Sequence, residues 1–543
     1  MNETRVASIN PGAPDFLAPQ TMKMATVGDH RIAVVRTEAG VFALDNACPH
    51  QGYGLVTGSL GCDSSGDAAI TCQWHNWKFR VSDGVCTQGE ENVLTHSVRT
   101  DDAGTVRVTV TVKSPEERKA ELWPSLAGAI ARNYVGQIGR DTVRLLDAGA
   151  TPAEVMESAL VATMSRTEDG VGHEMAMAAD CLTLAEEWTD DDRILPLVNG
   201  LSGLSEETRG RDEVTTPPPV SGDLVQLIEA EQLEPAMAAA AWLAQPGADQ
   251  ARTRQAFVRA AAQHHLGYGH GAIYTQKAFE LIERIGWQMA PHLLPQLARS
   301  LVLMTREDTL PYMRKAQRAI DQIDLTELAT VERTITSVDP AIVSQLLEAD
   351  DAPIAEAVVA VADGHGVEGL IDSVSLASAH RLLRYDENQE RQGESSFNWL
   401  SITHALTHAR AVRWAWNHSP GPDSARQALY AVWLLFDAGR AERRGVPALD
   451  VADLPPVDPR RDFRAWAYDL QRRSLDDAAG SFIVLAHLVK TSQAALEESI
   501  TLGSSVPLQA ADRFVHGQRR ERFVGRAVSE SLSFVRTGKP PVR

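Results

Sequence analysis

Two short loops near the start of the chain each combine a cysteine with a histidine: CPH at 48–50 and CQWH at 72–75. Thiolate sulfur and imidazole nitrogen are ligands that both iron and zinc accept. Structural zinc sites usually group their ligands as C-x2-4-C and H-x3-5-H, whereas here cysteine and histidine alternate. The spacing C-x-H followed by C-x2-H favours a [2Fe-2S] cluster in which two cysteines hold one iron and two histidines hold the other. The predicted ligands are Cys48, His50, Cys72 and His75.

The segment around these loops has the pattern of short β-strands. Between Met24 and about Thr111, β-rich runs such as RIAVVRT, AAITCQW and GTVRVTVTV alternate with turns that contain Gly, Asn and Asp. No helical period of useful length interrupts them. We therefore predict a small all-β domain, an antiparallel sandwich or small barrel, over residues 1–112.

This segment strongly resembles the Rieske domain. CPHQGYGLVTG, CQWHNWKFRVSDGVCTQG and LTHSVRTDDAGTVRVTV lie where that family expects them. Rieske proteins of the cytochrome bc type carry two further cysteines that join the cluster loops, and Tyr53 and Trp74 occupy those positions here. The resemblance therefore implies the lower-potential kind found in ferredoxins and oxygenases. Cys62 and Cys86 lie outside both ligand loops and are interpreted as ordinary thiols.

Beyond the β-rich segment the chain has a helical pattern to its end. We predict a charged linker at 113–125, followed by one large all-α domain over 126–543 in which apolar residues recur at three-to-four spacing. The proline-rich break TTPPPVSGD at 215–223 is either a lid or a surface loop. The predicted fold class is therefore multidomain, with a small all-β Rieske-type domain before a large helical domain.

Several histidines interrupt helix faces that are otherwise apolar. One such histidine is usually a core residue with its own hydrogen-bond partner. Several in one helical domain favour a shared metal ion, because each buried imidazole needs a partner and bundle interiors often hold metal centres. Lys490 follows one of them by three residues on the same face, so it should be neutral, paired or modified. The histidines are His173, His264, His265, His270, His404, His408 and His487.

Four motifs in this region resemble the questin oxidase-like family of helical oxygenases: GHEMAMAADCL, YGHGAIYTQKAFELIE, ITHALTHARAVRW and AHLVKTSQAALEE. The resemblance implies a mononuclear non-haem iron held by four histidines, with a carbamylated lysine as an oxygen ligand. The chain departs from the family at Lys277, where a second histidine is common, at the extra His408, and in its attached Rieske domain. The implied catalytic and metal-binding residues are His173, His270, His404, His487 and Lys490.

These features predict an oxidoreductase, an iron-dependent mono- or dioxygenase that uses O2 as co-substrate. A Rieske cluster moves one electron at a time, and non-haem iron activates O2 only after reduction. The electrons would come from a separate flavin reductase or ferredoxin, because the chain has no GxGxxG or other nucleotide-binding loop. The predicted substrate is an aromatic or quinone-like small molecule. Candidate pocket residues are Trp399, Trp414, Trp416 and Tyr268.

Two other functions remain open at this point. The protein could be a Rieske-type electron-transfer or redox-sensing protein whose helical domain binds a partner. It could also be a divergent ring-hydroxylating Rieske oxygenase with iron at His265 and His270, which have the H-x4-H spacing of that family. Against this last reading, Ala262 stands where an acidic residue is expected, and the strand-rich catalytic domain is missing.

Composition excludes some classes of partner. The chain of 543 residues has 52 Lys+Arg and 72 Asp+Glu, a net charge of -20, which disfavours nucleic acid and anionic membranes. It contains no apolar stretch long enough to span a bilayer and no signal peptide, so we expect a cytoplasmic protein with reduced thiols. The sequence leaves the oligomeric state open.

Overall fold

The structure is a computed structural model. It describes residues 3–9, 20–28, 30–89, 91–102, 105–387, 398–454, 461–476 and 481–517. The chain divides into two compact units: a β unit, residues 1–129 with 134–150, and a helical unit, residues 130–133 with 151–543. The predicted fold class is confirmed, and the last part of the predicted helical domain, 518–543, lies outside the described residues.

Two antiparallel sheets form most of the β unit. A six-stranded sheet has the order β1-β10-β9-β4-β3-β2, and a four-stranded sheet has the order β5-β6-β7-β8. The strands are β1 (Glu3–Ile9), β2 (Thr21–Val27), β3 (His30–Thr37), β4 (Gly40–Asp45), β5 (Ser59–Cys62), β6 (Ala68–Thr71), β7 (Lys78–Arg80), β8 (Cys86–Gln88), β9 (Thr95–Thr100) and β10 (Val106–Val112).

Strand β3 is buried on both faces, which explains its continuous apolar run. Ala33 and Val35 belong to one apolar cluster, and Ile32 and Val34 belong to another. Successive side chains of a strand point to opposite faces, so these four residues supply two cores. The first of these cores also contains both cysteines of the predicted cluster site. The packing of the sheets therefore fixes the depth of the ligand loops.

Most of the predicted linker at 113–125 is helical. Helix α1 spans Pro115–Ala131, and α2 spans Val135–Asp147. Ser114 and Glu117 form reciprocal side-chain-to-backbone hydrogen bonds that cap α1. The charged run is a capped helix start rather than a spacer, and α2 with nearly all of α1 belongs to the β unit.

The second unit is built from α-helices in the part of the chain that the structure describes. They are α3 (Pro152–Thr163), α4 (His173–Glu187), α5 (Ile194–Thr208), α6 (Leu224–Glu229), α7 (Leu233–Leu243), α8 (Gln250–Ala262), α9 (His270–Ile285), α10 (Ala290–Leu303), α11 (Arg314–Ile320), α12 (Leu325–Ala329), α13 (Pro340–Leu347), α14 (Ile354–Ala360), α15 (Gly366–Leu383), α16 (Trp399–His418), α17 (Pro422–Ala438), α18 (Arg440–Arg443), α19 (Phe463–Ser474), α20 (Phe482–Leu502) and α21 (Val506–His516).

Four of these helices close a ring. Helix α4 packs on α9, α9 on α16, α16 on α20, and α20 on α4. Met177, Cys181 and Leu184 of α4 share an apolar cluster with Leu485 and Val489 of α20. Such a ring encloses an interior into which each helix projects one face. The four motifs singled out above lie on these four helices.

The proline-rich break and the absence of a membrane-spanning segment were also predicted from the sequence. The break at 215–223 carries neither helix nor strand, and most of its side chains are exposed or half-buried. Within the part of the chain that the structure describes, no helix is both long and apolar enough to cross a membrane.

Candidate metal centres

The β unit brings its four predicted ligands to the ends of two loops. The first loop follows β4, and the second joins β6 to β7. Backbone hydrogen bonds close both turns: the Cys48 N–H donates to the Tyr53 carbonyl at 2.8 Å, and the Cys72 N–H donates to the Trp77 carbonyl at 2.7 Å. A third bond, from the Gly52 N–H to the Cys48 carbonyl, tightens the first loop. These turns hold each cysteine against the core.

The ligands form one cysteine pair and one histidine pair. The rings of His50 and His75 lie edge to face with centroids 4.3 Å apart. Both cysteines are buried, and burial, together with the neighbouring Cys72, raises the pKa of the Cys48 thiol to about 11. The Nδ1 atom of His50 is buried and has no hydrogen-bond partner among the described residues. Buried thiolates next to each other need a compensating cation, so this donor set fits a two-iron cluster.

Arg140 of α2 also belongs to this neighbourhood. Its Nη1 donates to the backbone carbonyl of His50 at 3.4 Å, and its Nε donates to Glu91 at 2.9 Å. The Rieske pattern gives no signal for this residue, because it lies 90 positions beyond His50. It steadies the first ligand loop from a helix that follows the sheets.

In the helical unit, four of the predicted histidines meet at one point. The distance between Nε2 atoms is 3.1 Å from His173 to His270, 3.1 Å from His270 to His404, and 3.4 Å from His404 to His487. One ligand atom from each ring lies within 4.8 Å of all the others. Nitrogen ligands held about 2.0–2.1 Å from one metal ion are separated from one another by roughly 3 Å. The spacing therefore fits a single ion.

Backbone carbonyls fix which nitrogen of three rings carries the proton. The Nδ1 atom of His270 donates to the Gly267 carbonyl, that of His404 to Leu400, and that of His487 to Ile483. A carbonyl only accepts, and burial lowers the pKa of each ring well below 6.5, so the rings are neutral and their Nε2 atoms hold lone pairs. Lone pairs that face one another repel, and a metal cation bound between them removes this repulsion.

The tautomer of His173 depends on Tyr274. Its hydroxyl lies 3.1 Å from the Nδ1 atom of His173. When the hydroxyl oxygen accepts a hydrogen bond from Nδ1–H, the Nε2 atom of His173 keeps its lone pair for the same ion. Tyr274 lies one turn after His270 on α9 and is a positioning residue that the sequence analysis missed. A tyrosine four residues after a candidate ligand is the signal that could have found it.

Lys490 is buried beside the four rings. Only 3% of its surface is exposed, and its Nζ atom has no hydrogen-bond partner within the described part of the chain. Burial lowers its pKa to about 7, and burial together with the charge of Lys490 lowers the pKa of His173 and His270. A buried amine without a partner is costly as a cation. Its chemistry therefore suits a neutral ligand or a modified side chain.

The other histidines take different partners. Both ring nitrogens of His264 face carboxylates, Asp308 at 2.7 Å and Glu229 at 3.0 Å. His265 packs against the ring of His408, with its Nε2 atom 3.6 Å from Glu307. Among the described residues, no metal-binding group of three or more includes His265. The pair His265 and His270 is thus not brought together as a shared iron site.

Lys277, where the resembled family often has another histidine, is an ion-pair residue. Its Nζ atom lies 2.7 Å from Asp180 and 2.8 Å from Glu280. Burial alone would lower its pKa, but these two carboxylates raise it well above its usual value. A lysine held as a cation by two carboxylates is not a metal ligand.

The candidate pocket aromatics divide into core residues and one cavity residue. Trp399 is buried against Tyr385, and Trp414 packs against Phe279. Trp416 packs on an apolar core cluster. Tyr268 instead lines a cavity and packs edge to face on His404, with centroids 5.5 Å apart.

Comparisons with known proteins concern the β unit. Residues 12–99 match the Rieske [2Fe-2S] domain family. Over 72 residues the chain is 36% identical to the ferredoxin component of the alkene monooxygenase system of Xanthobacter autotrophicus, a match that covers 13% of this chain and 56% of that protein. Over 74 residues it is 40% identical to a cholesterol 7-desaturase of Xenopus laevis, covering 13% of this chain and 15% of that enzyme. The chain thus spans about half of the first relative and a small part of the second.

Solved structures are also similar to this region. One of them is the ferredoxin of carbazole 1,9a-dioxygenase from Nocardioides aromaticivorans IC177, with 26% identity over 20% of this chain and 96% of that one, and a TM-score of 0.17.

Proposed function

The chain carries an N-terminal Rieske [2Fe-2S] domain, and we propose that it is an O2-dependent oxygenase in which this domain supplies electrons to a mononuclear non-haem iron in the helical unit. The observation that carries the proposal is the convergence of four imidazole nitrogens within 4.8 Å of one another. The proposed cluster ligands are Cys48, His50, Cys72 and His75, and the proposed iron ligands are His173, His270, His404, His487 and Lys490.

Iron is favoured over zinc because of the electron carrier in the same chain. Zinc has no redox chemistry, so a one-electron donor would have no use for it. The match to the ferredoxin component of an alkene monooxygenase system also supports an oxygenase function, since that protein belongs to an oxygenase system. When bound with an open position, ferrous iron supplies one-electron reduction of O2.

The chain's own residues prepare this centre. The three carbonyl bonds to Nδ1 atoms orient the rings of His270, His404 and His487 and keep their Nε2 atoms unprotonated. Tyr274 does the same for His173. His404 and His487 are buried to 7% and 3% exposure, which excludes bulk water from one side of the centre.

Lys490 is proposed as the fifth ligand, through a carbamate. Its neutral amine adds to CO2 and one proton leaves, so the side chain becomes an anionic oxygen donor. Burial favours the neutral amine that this addition requires, because it lowers the pKa of Lys490 to about 7. An anionic ligand also compensates the charge of a ferrous ion that is otherwise held by neutral imidazoles.

The proposed substrate is an aromatic or quinone-like molecule, and the proposed electron donor is a separate flavin reductase or ferredoxin. The donor proposal is supported by exposed rings at the cluster end of the β unit. Trp74 is 54% exposed and lies edge to face with His75, and Tyr53 stacks on Trp74 at 4.9 Å. An electron can therefore reach the histidine pair from the surface.

The test is the reaction of the reduced protein with O2. The full chain is reduced with dithionite without oxygen, freed of excess reductant and mixed with O2 while the visible absorbance of the cluster is followed. We expect the cluster of the wild-type protein to reoxidise at least tenfold faster than that of H404A, and H418A, on the same helix but outside the centre, to behave like wild type. Equal rates in wild type and H404A would instead favour a Rieske electron-transfer or redox-sensing protein whose helical unit binds a partner.

A further inference from the structure

A cavity of about 480 Å³ opens in the helical unit beside the four-histidine centre. Pockets of roughly 300–1,000 Å³ hold small organic ligands in most proteins. Its walls combine two tyrosines with charged side chains. The lining residues are Tyr268, Glu307, Tyr312, Asp437, Arg440, Arg443 and Arg444.

The cavity carries more positive than negative charge. Arg440 forms an ion pair with Asp437, which also accepts a hydrogen bond from the Tyr268 hydroxyl at 2.9 Å. Burial raises the pKa of Glu307 to about 7, so this carboxyl carries less negative charge near neutral pH than an ordinary glutamate. Among the lining side chains, three arginines outnumber two carboxyl groups, so the lining is cationic, although the chain as a whole has a net charge of -20.

Arg443 is held in place before any ligand arrives. Its guanidinium lies 3.6 Å from the centroid of the Phe436 ring and donates a hydrogen bond to the Phe436 carbonyl. A planar guanidinium fixed on an aromatic face loses little side-chain entropy when it binds a carboxylate or phenolate oxygen. The cavity also offers aromatic surface, because its lining residue Tyr312 is 56% exposed and stacks on Trp433.

Tyr268 contacts both the cavity and the four-histidine centre. Its hydroxyl reaches Asp437 in the cavity, while its ring packs on His404. Its backbone is left-handed, with φ 58° and ψ 37°, and it lies between Gly267 and Gly269, which also have positive φ. For a tyrosine this left-handed conformation is strained, and such strain is concentrated at functional sites. A Cβ on Gly269 would lie only 2.9 Å from the ring of His408, so this turn has little freedom.

We propose that this cavity binds the substrate, and that the substrate is a planar aromatic molecule with an anionic oxygen substituent. The anionic oxygen pairs with Arg443 and Arg444, and the ring system lies against Tyr268 and Tyr312, one ring away from His404. This deepens the proposed function and rests on it for the reaction, whereas the binding step rests only on the residues of the cavity.

The experiment is calorimetric titration of the full chain with two probes of the same shape, 1-hydroxy-2-naphthoate and its neutral carboxamide. We expect wild type to bind the acid at least tenfold more tightly than the amide. The double variant R443Q/R444Q should lose at least tenfold in affinity for the acid and leave the amide unchanged. The control R472Q, an exposed arginine paired with Asp192, should behave like wild type.

Equal affinity of wild type for acid and amide overturns the proposal, and this comparison needs no variant that could fail to fold. Unchanged binding of the acid by R443Q/R444Q overturns it as well. The metal content separates it from the proposed function. H404A should lose the helical-site iron and bind the acid within threefold of wild type, whereas R443Q/R444Q should keep that iron. A wild-type protein without this iron but with arginine-dependent binding would refute the oxygenase and leave the binding site standing.

Discussion

The β unit gathers its candidate ligands from two loops that lie within 28 residues, 48–75, whereas the helical unit gathers its histidines from four helices that begin at residue 173 and end at residue 502. In the first centre, tight turns hold the ligands, and the spacing of the cysteines and histidines in the sequence is enough to indicate a cluster site. In the second, each ring is oriented by its own carbonyl or tyrosine, and only the closing of a helix ring makes the four rings meet. The first centre therefore depends on local backbone geometry and the second on tertiary packing. If so, the two centres should be lost independently.

The largest expected effect is the loss of the whole cluster. In C72S one sulfur ligand is replaced by a hydroxyl, which is a poor ligand for a cluster iron. We expect the visible absorption and both cluster irons to disappear while the iron of the four-histidine centre remains, as read by absorbance and by metal analysis. The control C62S, which lies outside the ligand loops, should keep the visible absorption and the iron of both centres. Loss of all iron in C72S would show that the two centres do not form independently.

A smaller effect is expected where a residue orients a ligand without binding the ion. Y274F removes the oxygen that can accept from Nδ1–H of His173. Removal of such a partner typically lowers metal affinity about 10-fold to 100-fold. Competition with a chelator measures the affinity, and Y468F, whose hydroxyl bonds to Asp192, serves as the control. Unchanged affinity in Y274F would mean that helix packing alone orients His173.

The last prediction concerns the free energy of unfolding and its dependence on Glu307, which lines the cavity. Burial, together with Asp437 and Asp308, raises the pKa of Glu307 to about 7, against the opposing influence of Arg440 and of the Tyr268 backbone. The folded state thus keeps a proton that the unfolded chain releases above about pH 4.5, so this carboxyl costs stability as pH rises from 4.5 to 7. Relative to wild type, the free energy of unfolding of E307Q should rise by up to about 3 kcal/mol between pH 4.5 and pH 8, as measured by urea unfolding.

The control for this measurement is E356Q, because Glu356 is exposed on α14. Its pH dependence should equal that of wild type. A parallel pH dependence of E307Q and wild type would show that Glu307 ionises in the folded protein as it does in the unfolded chain. The cavity would then be less cationic than described.

The sequence predicted the β unit well because its information is local. Alternating apolar residues indicate the strands, and the two Cys/His loops carry their ligand spacing within a few residues. The charged run at 113–125 was interpreted as a linker, and its helix start could have been found from the capping pair Ser114 and Glu117.

The helical centre was predictable only in part. Histidines on apolar faces gave the candidates, but His265, His270 and His408 have similar local surroundings in the sequence. Their difference is tertiary: the left-handed Gly267-Tyr268-Gly269 turn precedes α9 and allows the Nδ1 atom of His270 to bond to Gly267, while His265 and His408 pack on each other. The cavity could not be predicted, because its walls come from segments that lie far apart in the chain.

The iron content of the purified full chain, measured together with its visible spectrum, tests the account most directly. We predict three iron ions per chain in wild type, two of them in the cluster, and two in H404A with the Rieske spectrum intact. H418A should retain three. Two iron ions in wild type, or a content in H404A equal to that of wild type, would contradict the claim that the helical unit holds a mononuclear iron.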